Sequence, residues 1–192
     1  TEVGEQTDYV TLSGMGEPTL ASNLDDAVEL ILGSTDKQTA ILTNGCFFDR
    51  EEVRRPLSKL DYVIAELDAA DEEVFKEVDR PEKDIKFDQI IRGYEDFRDE
   101  YSGTFSLEVM FVKENVDHAD EIADLAKDIG VDEVQINTPL RPCDSEPLSK
   151  ERLNVIEGKF DGIRTINVYD MRRKKGKILD PKELEKRGRP SK

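Results

Sequence analysis

The sequence contains no tryptophan, one histidine (His118) and two cysteines (Cys46 and Cys143). Two cysteines this far apart build no disulfide framework, and no CxxC pair is present to hold a structural metal. One histidine excludes a His-rich metal site. No apolar run is long enough to span a bilayer, and no secretory leader is visible, so the expectation is a soluble, cytoplasmic protein without membrane partners. Positive charge is also scarce: 28 Lys and Arg stand against 44 Asp and Glu, a net charge of −16. That little is unevenly placed. Residues Arg172 to Lys192 hold ten Lys or Arg and three Asp or Glu, a local +7, which leaves −23 on residues 1–171. A body this acidic stays soluble and repels nucleic-acid backbones wherever no basic patch intervenes.

What is present is a repeat of two periodicities. Short β-branched and aromatic runs predict strands at Asp8–Ser13, Gln38–Thr43, Asp61–Leu67, Phe105–Val112, Asp132–Asn137 and Ile163–Tyr169. Between them, 3.6-residue apolar spacing predicts helices at Ser22–Gly33, Arg50–Leu60, Asp71–Val78, Asp84–Tyr101, Asp117–Ile129 and Ser149–Phe160. A helix after each strand is the connection that parallel strands need, so the fold class is α/β with a parallel sheet. With 36% hydrophobic residues, 192 residues can bury one core. After Tyr169 the pattern stops. The division expected is a domain over residues 1–170 and a basic tail over 171–192.

The strands are apolar and their exits are not. The first delivers Ser13-Gly14-Met15-Gly16-Glu17-Pro18, the second Thr43-Asn44-Gly45 and the third Glu66-Leu67-Asp68. The fourth ends at Lys113, and the fifth ends at Asn137 and runs on to Arg141. Parallel α/β sheets and barrels bind ligands along that edge. Two glycines at the first exit let a ligand approach the backbone, Glu17 offers an anionic acceptor, and Pro18 is suited to a helix start. Asn44 is a hydrogen-bonding wall residue or a loop cap. Glu66 and Asp68 offer two carboxylates at alternate positions, a general acid–base pair or simply two same-facing side chains. Arg80 and Arg141 are candidates for an anionic group of a substrate. Cys46 and Cys143 are either redox partners, substrate-side radical partners, ligands to a second cluster, or small apolar fillers.

In order and spacing these exits resemble the radical S-adenosylmethionine (radical SAM) superfamily, in particular its Fe–S oxidoreductase branch related to wyosine-type tRNA-modifying enzymes. "GMGEPTL" is similar to that family's GGEP motif, "LTNG" to its next strand, and "ELDAADEEVFKEVDRP" to its SLDAA…RP segment. "EVMFVKENVD" and "VQINTPLRPC" resemble its later strands. The resemblance implies a partial (β/α) barrel and an enzyme in which a 4Fe–4S cluster reductively cleaves S-adenosylmethionine to a radical that abstracts substrate hydrogen. It assigns cofactor binding to Ser13, Gly14, Met15, Gly16, Glu17, Pro18, Asn44, Glu66, Asp68, Lys113 and Asn137. Met15 and Glu66 depart from the family's usual residues, the second standing where Ser is common. The family's CxxxCxxC cluster loop lies ahead of GGEP and is not in this sequence. The expectation is therefore a fragment, inactive alone, missing the first βα unit, with the cluster cysteines upstream of Thr1 and no metal ligands of its own. A flavodoxin- or ferredoxin-type electron donor would follow; the substrate is left open, with tRNA as one candidate. Two other readings compete: a cluster-free barrel enzyme of aldolase or isomerase type, and a non-catalytic scaffold whose basic tail touches nucleic acid.

Overall fold

A computed structural model describes residues 8–14 and 16–171. The basic tail and Met15 lie outside the described residues. Six strands, β1 (Tyr9–Leu12), β2 (Gln38–Thr43), β3 (Tyr62–Glu66), β4 (Thr104–Met110), β5 (Glu133–Asn137) and β6 (Arg164–Asn167), form one sheet in chain order, every pair parallel. Six helices connect or flank them: α1 (Leu24–Leu32), α2 (Glu51–Leu57), α3 (Glu72–Val78), α4 (Phe87–Glu100), α5 (Ala119–Ile129) and α6 (Lys150–Glu157). Sequential strand order with crossovers of one hand keeps the helical layer on one face and curls the sheet like part of a barrel. The described strands do not close it: β1 and β6 each pair on one side only.

The buried cluster shows which face carries the helices. Ile41, Val63, Ala65, Phe105, Leu107, Val109, Val134 and Ile136 all belong to it, and each occupies alternate positions on its strand. They pack against Phe48, Leu57, Tyr94, Phe97, Ile122 and Leu153 from the helical side. Each Val, Leu, Ile or Phe among them contributes roughly 1.5–3 kcal/mol when fully buried. The opposite face is largely polar. Parallel register aligns Tyr62 with Thr104, Ile64 with Ser106, Glu66 with Glu108, and Met110 with Asn137 along it. At the strand beginnings, carboxylates fix this register. Asp61 accepts from the Thr39 amide at 2.7 Å and the Thr39 hydroxyl at 2.9 Å. Asp132 accepts from the Phe105 amide at 2.9 Å and pairs with Arg98 at 2.8 Å. Among the described residues no helix is long and apolar enough to cross a membrane.

Candidate functional site

The carboxyl ends of β2 and β3 open onto a cavity of about 480 Å³. Asn44 and Cys46 reach it from β2, Glu66 and Asp68 from β3, and Asp79 from the residue after α3. Leu20, Phe47, Phe75, Phe87 and Ile90 supply apolar walls. Its volume is that of a small-molecule site, and its make-up, apolar walls with a few polar groups, is the usual one.

Among the described residues no lysine or arginine lines this cavity, so its described carboxyl groups face one another. Glu66 is exposed at the end of β3, yet its carboxyl is partly withdrawn from water, which pushes it up to about 7, with help from Glu108, Asp79 and Glu17. Asp68 is driven well above the usual carboxylate range, first by burial and then by Asp79. Asp79 stands at an open rim, yet the protein around its carboxyl raises it to about 6. Burial and the Glu17 charge push the Cys46 thiol up to about 11, so it is a neutral thiol and a poor nucleophile at neutral pH. A cation with an apolar body would relieve all of these groups at once.

The turn at Ser13–Pro18 is built by its own glutamate. Glu17 Oε1 accepts from the Thr19 amide at 3.0 Å and from the Thr19 and Thr43 hydroxyls at 2.5 Å each. Its Oε2 accepts from the Asn44 amide at 2.8 Å. Four protein donors thus occupy this carboxylate, and it clamps the first exit to the second. Ser13, Gly14 and Pro18 border a neighbouring groove between β1 and α1 rather than this cavity. A Cβ at Gly16 would meet no protein atom within 4 Å, so packing does not demand glycine there. Asp68 has a structural bond as well, accepting from the Met110 amide at 2.7 Å.

Other candidate residues lie elsewhere. Lys113 is exposed and pairs with Glu114 at 3.4 Å, and Arg141 is exposed on the loop after β5; neither lines the cavity. Arg80 is exposed between the lining residues Asp79 and Pro81, in left-handed backbone at φ 50°. Asn137 lies on the polar sheet face, where its side-chain amide donates to Glu108 at 2.7 Å. Sequence reasoning missed Glu108 and Asp79. Glu108 does not line the cavity but stands beside Glu66 through cross-strand register, which one sequence does not display. Asp79 caps the end of α3 and lies at no strand exit in sequence. Among the described residues no group of three or more His, Cys, Asp or Glu is placed to hold a metal ion. Cys46 and Cys143 are free thiols.

Known proteins share this fold. The family model described as the radical SAM superfamily matches residues 2–126. UPF0026 protein MJ1312 of Methanocaldococcus jannaschii is 34% identical over 155 residues, which cover 79% of this chain and 48% of that protein. A Brachyspira hyodysenteriae protein named GTPase Obg is 37% identical over 167 residues, covering 84% of this chain and 25% of its own length. The chain therefore spans half or less of these two curated relatives. Among solved structures, Streptococcus suis SuiB bound to S-adenosylmethionine superposes with a TM-score of 0.64 at 17% identity, over 83% of this chain and 39% of that one. The fold is shared at that distance, and the match over residues 2–126 places the chain in the radical SAM superfamily.

Proposed function

We propose that the cavity at the ends of β2 and β3 is the S-adenosylmethionine pocket of a radical SAM enzyme. The observation that carries this is the convergence of Glu66, Asp68 and Asp79, with no basic residue among the described lining, on a 480 Å³ cavity with aromatic walls. The ligand carries two positive groups, an ammonium and a sulfonium, and a flat adenine. The residues present fit it. Glu66 would face positive charge or accept from the ribose hydroxyls, Asn44 would hydrogen-bond its polar groups, and Phe47, Phe75 and Phe87 would exclude water from the adenine. Glu17 acts one step back, holding the β2 exit in place. When bound, S-adenosylmethionine supplies a sulfonium whose one-electron reductive cleavage is the family's source of a carbon radical.

The same test fails for an iron–sulfur cluster. A CxxxCxxC loop provides three thiolates, and this chain has two cysteines in all. In this reading the cluster is held by polypeptide outside these 192 residues, and these residues alone do not turn over. The electron donor would be of flavodoxin or ferredoxin type. Between substrate classes, RNA is favoured by one observation, the +7 run at Arg172–Lys192 on an otherwise acidic chain.

Saturation-transfer NMR and calorimetry on this chain test the pocket, with S-adenosylhomocysteine as the comparison because it lacks the sulfonium charge. The expected result is a preference for S-adenosylmethionine that strengthens as pH rises through about 7, where Glu66 ionises. No binding, or equal binding of both at all pH values, would overturn the assignment.

A further inference from the structure

Tyr94 stands in none of the motifs above, yet it reaches the two strand ends that form the pocket. It sits in α4, is fully buried, and packs edge-on against Phe48 and Phe105, with ring centroids 5.4 and 5.8 Å away. Its hydroxyl donates to the Glu66 carbonyl at 2.6 Å and lies 3.3 Å from the Asn44 carbonyl. The hydroxyl therefore joins the first residue past β2 to the last residue of β3.

The surroundings are cut to admit it. Gly45 has φ 69°, and a Cβ there would lie 2.1 Å from the Tyr94 hydroxyl oxygen. A Cβ on Gly93 would lie 2.8 Å from the Asp49 amide nitrogen and 2.9 Å from the Phe48 carbonyl carbon. The first glycine makes room for the hydroxyl. The second lets α4 come close enough to deliver it. Neither glycine can be replaced without moving backbone or a buried ring.

We infer that Tyr94 is a positioning residue of the pocket: its hydroxyl sets the separation of the β2 and β3 exits, and through them the placing of the Asn44 and Glu66 side chains. It touches no part of the cavity itself, since it is not among the lining residues. For its ligand this inference rests on the S-adenosylmethionine reading; for its geometry it does not.

Tyr94→Phe keeps the ring and removes the donor. Losing one buried hydrogen bond costs well below the stability of a typical domain, so the variant folds. Ile122→Val in α5, a fully buried site away from the pocket, is the control for general destabilisation. Two quantities are read. The first is the preference for S-adenosylmethionine over S-adenosylhomocysteine, expected to fall about tenfold in Tyr94→Phe and to stay at the wild-type value in Ile122→Val. The second, in ligand-free protein, is the titration midpoint of the Glu66 carboxyl by NMR of carbon-labelled glutamate. The groups facing it are Glu17 from the first turn, Cys46 and Asp79 at the cavity, Asp68 on its own strand exit and Glu108 on β4. Loosening the exits admits water, so the midpoint should fall from about 7 toward 4.5 in Tyr94→Phe alone. Wild-type values of both quantities in Tyr94→Phe, or equal changes in Ile122→Val, would overturn the inference. If wild type binds no S-adenosylmethionine, the cofactor assignment falls, and the Glu66 midpoint still decides the role of Tyr94.

Discussion

Glu66 concentrates the electrostatics of the site at one residue. It aligns with Glu108 on the neighbouring strand, a like-charge cross-strand pair that is unfavourable when both are ionised. Its folded carboxyl is raised from 4.5 to about 7, so the native state holds a proton that the unfolded state has lost in that interval. Stability therefore declines as pH climbs from about 4.5 to about 7, and the penalty is complete above the folded value. Glu66→Gln removes this group's share. Because Glu66 is only partly shielded from solvent in the ligand-free sheet, the gain above pH 7 should be held to about 1 kcal/mol, a rise of roughly 2–4 °C in melting temperature. Near pH 4.5 the variant and wild type should melt together. Melting curves across this range check it; a variant no more stable than wild type above pH 7 would show that the carboxyl is fully solvated. If Glu66 faces the cofactor as proposed, the stabilised variant should bind S-adenosylmethionine less well, its carboxyl costing stability in the empty protein.

At the scale of elements, α4 is fitted to the β2 exit through Gly93. Replacing a helical glycine by alanine ordinarily gains up to about 1 kcal/mol from helix propensity. Here the added methyl would press on the backbone of Phe48 and Asp49, and backbone cannot swing aside as a side chain can. Gly93→Ala should therefore lose about 1–3 kcal/mol, the usual cost of overpacking. Urea unfolding measures it; a gain would mean that α4 shifts freely. The elements themselves were legible. All six strands and six helices stand where periodicity put them, because strand and helix spacings differ and each helix follows its strand. Ends differ by a few residues: the expected helix Arg50–Leu60 is α2 at Glu51–Leu57, with Pro56 in its last turn. The expected helix from Asp84 begins as α4 at Phe87. The site was only half legible. Asn44, Glu66 and Asp68 could be read because a strand's exit is visible in one sequence. Glu108, Asp79 and Tyr94 could not, because each acts through register or packing between distant segments. The exposed cations Lys113 and Arg141 share the exit region in sequence but not the cavity in space.

The whole molecule is a charge asymmetry: −23 over residues 1–171 against +7 over 172–192. The basic run lies outside the described residues, so its part in recognition rests on composition and is testable by deletion. Removing residues 172–192 takes away ten Lys or Arg and three acids, and leaves the described pocket intact. If RNA is the substrate, the intact chain should bind it with an affinity that falls linearly in log–log form with salt, since each neutralised phosphate releases counterions. The truncated chain should bind more weakly at low salt, with a slope shallower by about 0.7–0.9 for every phosphate it no longer neutralises. Both chains should bind S-adenosylmethionine alike, because none of the cavity's lining residues is deleted. The acidic body makes the comparison a sharp one: without the tail it repels phosphate, so no second basic surface should hide the loss. Titrations of a tRNA at several salt concentrations, with both chains side by side, give the two slopes. Equal slopes would exclude the tail from RNA binding and turn the search toward substrates recognised inside the sheet.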